Sequence, residues 1–320
     1  MSSSALPQWI RERKIRLGSL HNVREVMGRG RLSTVCDEAR CPNRGECFSR
    51  GTATFLIMGD ICTRSCRYCA VTHGRPRPLD PGEPAALARA AAEMKLRHVV
   101  VTSVDRDDLA DGGASHFAAV IQVLRGLSPA PTVEVLTPDF RGDETAVEAV
   151  LAAGPDVYNH NVETVPRLYP LIRRSGCYRW ALEVLAGAAR HSPGPVTKSG
   201  LMVGLGEGRE EVEAVLRDLA DVGCQLVTIG QYLQPTAAQL PVARYWTPAE
   251  LDELAAAGAA LGVAVIAGPF VRSSYHAEEA FVAIARERSA VSNQLSAISS
   301  QQSALSNQLS AISSQQSAVS

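Results

Sequence analysis

Aromatic residues are scarce, only 5% of a 320-residue chain, too few for the stacking platform of a single-stranded nucleic-acid binder. Net charge is nearly absent as well. At −1, with charged residues at 20%, the chain has no basic field to attract nucleic acid and no acidic excess to keep it unfolded. The opening MSSSALPQWIRERKIR lacks an apolar run long enough for a secretory signal. No stretch reads as a bilayer span either. The nearest, Leu254 to Val271, is uncharged but mostly Ala and Gly and is broken by Gly268-Pro269. A buried helix followed by a core strand accounts for it. These absences predict a soluble, cytoplasmic protein without nucleic-acid or membrane partners. Thiols stay reduced in that compartment, and a chain of this length needs no disulfide staples.

Cysteine, by contrast, is concentrated. Of eight, Cys36, Cys41, Cys47, Cys62, Cys66 and Cys69 crowd into one short segment, while Cys177 and Cys224 stand apart and read as structural thiols. The first 31 residues carry Arg11, Arg13, Lys14, Arg16, Arg24, Arg29 and Arg31 against Glu12 and Glu25. A solvated arm or short amphipathic helix is the plain reading, and an arm that meets an acidic partner is the sharper one.

Short apolar segments alternate with amphipathic ones through the rest of the chain. Strands are predicted at Ala53–Gly59, His98–Val104, Thr132–Pro138, Val157–Val162, Val196–Val203 and Gln225–Leu233, with Val263–Ala267 as a candidate last strand. Helices are predicted near 83–95, 114–126, 143–153, 178–190, 207–222 and 248–260. The alternation predicts a parallel sheet covered by helices: an α/β fold, a partial (βα)6 TIM-type barrel with N-terminal and C-terminal extensions. Chemistry in such folds collects at the carboxyl ends of the strands. The domain reading is an extension over 1–50, a catalytic barrel over 51–285 and a repetitive Ser/Gln/Ala tail over 286–320. Within that tail Ser292–Leu305 recurs at Ser306–Val319 with one Leu-to-Val change, and its sparse heptads lack charged flanks, so it reads as an appendage without a packed core.

Cys62-Thr-Arg-Ser-Cys66-Arg-Tyr-Cys69 follows the first strand directly. Three thiolates in one tight loop can hold three irons of a 4Fe–4S cubane and leave the fourth open to a small molecule. Zinc is the competing reading, but structural zinc takes four protein ligands. A redox Cys66/Cys69 pair leaves Cys62 unused. The spacing, with Tyr68 before the last cysteine, resembles that of the radical S-adenosylmethionine (SAM) enzymes, in which the open iron chelates SAM and reductive cleavage yields a 5′-deoxyadenosyl radical.

A second triplet, Cys36-Asp-Glu-Ala-Arg-Cys41-Pro-Asn-Arg-Gly-Glu-Cys47, lies upstream. Together the two closely resemble the lipoyl synthase family, and further similar stretches extend the likeness from about residue 8 to residue 285. The resemblance implies two 4Fe–4S clusters and SAM. It implies that Cys36, Cys41 and Cys47 hold the auxiliary cluster as sulfur donor, with a serine of Arg272-Ser273-Ser274-Tyr275, on the family pattern Ser274, completing the metal set. Taken without the cysteines, the two serines would read as a helix cap. The SAM contacts expected from the resemblance are Tyr68, Gly112 and Gly113 after the second strand, Asn161 and Glu163 after the fourth, and Lys198, Gly204 and Glu207 on and after the fifth. His160, between the two asparagines, reads as a structural histidine.

The implied activity is insertion of two sulfur atoms at the sixth and eighth carbons of a protein-bound octanoyl group. One SAM is consumed for each hydrogen removed. The implied partners are octanoylated lipoyl carrier domains (2-oxoacid dehydrogenase E2 subunits and the glycine cleavage H protein), an electron donor such as ferredoxin or flavodoxin, and a cluster-repair protein. Competing readings are another radical SAM enzyme with an auxiliary cluster, such as a methylthiotransferase or peptide-modifying enzyme, and a non-catalytic zinc- or cluster-binding interaction protein.

Overall fold

A computed structural model describes residues 6–11, 20–49, 54–286, 288–290, 294 and 302. Seven strands run parallel in chain order: β1 (Thr54–Ile57), β2 (His98–Ser103), β3 (Thr132–Leu136), β4 (Val157–Asn159), β5 (Val196–Val203), β6 (Leu226–Gln231) and β7 (Ala264–Gly268). Each of the first six is followed by a long helix: α1 (Glu83–Glu93), α2 (Ala114–Arg125), α3 (Glu144–Ala152), α4 (Tyr178–Arg190), α5 (Arg209–Asp221) and α6 (Pro248–Ala260). Each parallel strand pairs with the next, so the order never reverses as it does in a doubly wound sheet. Ser33–Thr34 adds an antiparallel edge to β1, and no ladder among the described residues joins that edge to β7. The barrel is partial, as expected, with β7 confirmed as a seventh parallel strand and the Ser33–Thr34 edge additional to the predicted set.

Local chemistry sets the helix bounds. Pro248 opens α6 behind Thr247, whose hydroxyl accepts from Glu250 N while the Glu250 carboxylate accepts from Thr247 N. Asp143 caps α3 by accepting from Thr145 N and Ala146 N. In α5 the apolar positions Val212, Val215, Leu216 and Leu219 are fully buried, and they pack with Val203, Val227 and Ile229 of the sheet. A second core joins β1 and β2 to α1 and α2 and takes in Val23 and Met27 of the helix Leu20–Gly30. Strand β4 is shorter than the predicted Val157–Val162. It ends at Asn159, and Glu163, at a left-handed φ of 65°, makes a separate bridge to Leu201.

The uncharged run Leu254–Val271 divides into the end of α6 and β7, and no described helix is long and apolar enough to cross a membrane. Residues Met1–Glu278 form one compact unit and Glu279–Ser320 a second. In the second, 279–286 and 288–290 are helical. Arg13, Lys14 and Arg16 of the basic arm lie outside the described residues, as do the two tail repeats apart from single positions.

Candidate active site

The loop leaving β1 is bound on all sides. Its ends meet in a small parallel ribbon, Ile61–Cys62 with Thr72–His73. Thr63 N donates to Asp105 O (3.0 Å) after β2, Arg67 N donates to Ile172 O (2.9 Å), and Leu240 N donates to Arg67 O (3.0 Å). At its centre Arg64, 3% exposed, forks onto both oxygens of Asp107 and of Asp139, at 2.8–2.9 Å. Asp107 follows β2 and Asp139 follows β3, so one guanidinium ties three strand exits together. The flanking carboxylates push the Arg64 pKa up, and Arg64 together with Arg173 holds the Asp139 carboxyl down at about 2 despite burial.

The upstream triplet comes from two short helices. Cys36 lies in Val35–Glu38, capped by Thr34, and Cys47 in Arg44–Ser49, with Cys41 between them. This arm is fastened to the chain after β7. Asn43 Nδ2 donates to Phe270 O (2.6 Å), Tyr275 Oη donates to Glu46 Oε1 (3.0 Å), and Thr54 Oγ1 donates to Ser274 Oγ (2.8 Å). Residues more than 200 positions apart therefore share one wall.

Cysteines of both triplets line one cavity of about 650 Å³ at the carboxyl end of the sheet. Cys36, Cys41, Cys62, Cys66, Cys69 and Ser274 line it, whereas Cys47, on the helix Arg44–Ser49, does not. Of the SAM-contact set, Tyr68, Asn161 and Glu163 also face it. The Tyr68 hydroxyl donates to the Glu163 carboxyl, as does Asn161 Nδ2 (3.2 Å).

The structure brings the other five elsewhere. Gly112 lines a smaller cavity of about 290 Å³, where a side chain would strike the Phe140 ring. A Cβ on Gly113 would lie 2.3 Å from Met58 Sδ, so packing and a φ of 92° demand this glycine. Lys198, 1% exposed, is sealed below the cavity, where Nζ donates to Glu134 Oε1 (2.8 Å). Glu207 is consumed by its own turn: it accepts from Gly204 N, from Leu205 N and, at 2.8 Å, from the Trp246 indole. Gly204 faces Gln231 and the Arg244 carbonyl. Part of the polarity at these strand ends satisfies the protein's own buried groups.

Three further residues line the cavity beyond the expected contact set. Arg173 resembles a solvated base in Arg173-Arg174, yet it is buried, with Nη1 donating to Asn161 O (3.0 Å) and Nη2 to Asp139 (3.4 Å). Asp105 accepts the Cys62 thiol at 3.7 Å, and burial raises its carboxyl while Arg64 and Arg173 oppose the rise. His160 donates from Nδ1 to Thr137 O (2.8 Å), leaving buried Nε2 without a hydrogen-bond partner on the cavity wall. Burial and then Arg173 lower its pKa to about 4, so the ring is a neutral acceptor. Its position between two asparagines at a strand end was the available clue.

The donor set fits iron–sulfur clusters. Ser103 Oγ and His160 Nε2 are orphaned polar atoms facing the space a ligand would fill. Burial pushes the thiols up, to about 12 for Cys36, Cys62 and Cys66 and about 11 for Cys69, so their ionisation at neutral pH requires a bound cation. Among the described residues no three Cys, His, Asp or Glu side chains converge on one point as ligands of a single ion. A cubane instead takes one thiolate at each iron.

Comparison with known proteins agrees. The sequence profile of the Radical SAM superfamily matches residues 56–219. A lipoyl synthase of Methylococcus capsulatus is 55% identical over 282 residues, 88% of each chain. One from Thioalkalivibrio sulfidiphilus is 55% identical over 275 residues, 85% of this chain and 86% of that one. The crystal structure of methylornithine synthase has the same fold, with a TM-score of 0.50 at 14% identity over 80% of this chain and 83% of that one. With identity of this level along most of its length and cysteines of both triplets lining one cavity, the chain belongs to the lipoyl synthase family of radical SAM enzymes.

Proposed function

We propose that this cavity inserts two sulfur atoms into the octanoyl chain of a lipoyl carrier domain, at the sixth and eighth carbons. The observation that carries the reading is the opening of Cys62, Cys66, Cys69, Cys36, Cys41 and Ser274 on one space. Cys62, Cys66 and Cys69 hold the SAM-binding cluster, and Cys36, Cys41, Cys47 and Ser274 hold the auxiliary one. When bound, these groups supply a radical able to break unactivated C–H bonds and sulfide to replace the hydrogen, chemistry beyond any side-chain acid or base.

The chain's own residues position and enclose. Arg64 keeps the cysteine loop in register with the exits of β2 and β3. Ser103 Oγ and His160 Nε2 offer a hydroxyl and a neutral acceptor to SAM, and Tyr68, Asn161 and Glu163 form a polar edge beside them. Arg173 balances the carboxylates in that edge. Met202 and Tyr232 supply apolar wall for a flat base or an acyl chain. The reductant is a ferredoxin or flavodoxin, a cluster-repair protein restores the consumed auxiliary cluster, and the cytoplasm is the compartment that keeps eight free thiols reduced. The catalytic body is residues 51–285, with the cysteine-bearing arm before it.

Anaerobic incubation of an octanoylated carrier domain with the reconstituted protein, SAM and dithionite tests this. The expected mass spectrum has two sulfurs in place of two hydrogens. SAM cleavage with no sulfur in the carrier would overturn the reading in favour of a different radical SAM reaction.

A further inference from the structure

The two serines of Arg272–Tyr275 sit in different surroundings. Ser274 lines the cavity with Cys36 and Cys41, and its hydroxyl accepts from Thr54 Oγ1. Ser273 lines the same cavity but is bonded to the end of β4 and the residues just after it. There Asn159 Nδ2 donates to Ser273 Oγ (2.7 Å), and Ser273 Oγ donates to Asn161 Oδ1 (2.8 Å). The hydroxyl's single proton is used, and it accepts as well, so it is clamped between two side chains of one strand end.

The clamp is itself anchored. Asn159, fully buried, also donates to Glu134 Oε1 (3.2 Å), which is fixed by Lys198. Asn161 continues through Nδ2 to Glu163. Two other ties of the segment, Phe270 to Asn43 and Tyr275 to Glu46, lead to the cysteine-bearing arm. Ser273 ties the segment to the end of β4.

We infer that Ser273 is a positioning residue that sets the Ser274 hydroxyl against the auxiliary-cluster cysteines through its clamp between Asn159 and Asn161. The inference rests on the proposed ligand role of Ser274. An alkoxide or hydroxyl among three thiolates is the weakest-held corner of an iron–sulfur site. Its residence therefore depends on how well the adjacent backbone is held.

The test uses the full chain in a Cys62→Ala/Cys66→Ala/Cys69→Ala background, so that bound iron reports the auxiliary site alone. After anaerobic reconstitution with iron and sulfide, the rate of iron loss to a ferrous chelator is followed. Ser274→Ala is expected to speed the loss. Ser273→Ala is expected to speed it by at least about fivefold, the scale of one buried hydrogen-bonded pair. Ser273→Thr, which keeps the hydroxyl, is expected to return towards the parental rate. Ser273→Ala/Ser274→Ala is expected to lose iron no faster than Ser274→Ala, because one acts through the other.

A parental rate in Ser273→Ala beside a fast Ser274→Ala overturns the positioning role and leaves the ligand reading standing. Multiplying effects in the double variant also overturn it, since Ser273 would then act independently. A parental rate in Ser274→Ala removes the ligand reading and this inference with it. Should Ser273→Ala fail to fold, Asn161→Ala removes the acceptor from the same hydroxyl, and a parental rate there overturns the inference equally.

Discussion

Asp139 presents both carboxylate oxygens to the guanidinium of Arg64, at 2.8 and 2.9 Å, with the carboxylate wholly out of solvent. Breaking such a pair leaves an uncompensated buried charge and costs roughly 3–5 kcal/mol. Arg64→Lys keeps the charge but cannot fork onto two carboxylates. Both Arg64→Lys and Asp139→Asn are expected to lower the denaturation midpoint. Reconstituted iron is expected to fall from about eight per chain towards about four, as the cluster in the Cys62 loop is lost. Iron analysis beside urea unfolding checks this, and a full complement of iron in Asp139→Asn would refute it.

Ser274→Ala separates the two halves of the reaction. Formation of 5′-deoxyadenosine is expected to persist, because the Cys62, Cys66 and Cys69 loop is untouched. Sulfur insertion into an octanoylated carrier is expected to drop at least about tenfold, the equivalent of one lost ligand contact of about 1.4 kcal/mol. Liquid chromatography of the nucleoside and mass spectrometry of the carrier read the two products from one reaction.

Glu134 gives the fold an acid limit. Lys198 and His98 more than offset burial and hold its carboxyl at about 2, below the ordinary 4.5. Stability from this group is present above 4.5 and is lost as pH falls from there through about 2, because the unfolded chain takes up the proton first. A shift of this size corresponds to a few kcal/mol, on the order of 1.4 kcal/mol per pH unit. Glu134→Gln is expected to be less stable at pH 7, with a flatter stability profile between pH 4.5 and 2. Urea midpoints across that range measure the difference.

His160 is expected to remain neutral with the proton on Nδ1 from pH 5 to 8. Its folded value of about 4 lies below the ordinary 6.5, so falling pH favours the unfolded chain once 6.5 is passed. Nitrogen-15 imidazole shifts report the tautomer directly. A titration centred near 6.5 would place the ring in water and contradict the Thr137 hydrogen bond.

Much of the barrel was legible in the sequence because its strands and helices bury opposite periodicities. Val196–Val203 reads as a continuous apolar-flanked strand and is one, and Val212 to Leu219 reads as one helix face and packs as one. The cysteine triplets were legible because short spacing alone brings thiolates together. The partners of Lys198 and Glu207 were not legible, for the converse reason. A polar residue at a strand end looks the same whether it meets a ligand or another buried side chain, and only the partner, Glu134 or Trp246, decides. Arg64 was hidden because its three carboxylates, Asp105, Asp107 and Asp139, come from two later strand exits.

The contact between the arm bearing Cys36 and the segment bearing Ser274 has a consequence for biosynthesis. During translation the three cysteines of the arm emerge early, whereas Thr54 and Asn43 gain their partners at 274 and 270 only after β7 has left the ribosome. Contacts of such long sequence separation form late, after the loop between them has closed. The contacts that join this arm to residues 270 and 274 are therefore a property of the finished barrel. On the ligand set proposed above, a chain arrested before residue 270 displays both cysteine triplets yet completes only the set in the β1 loop.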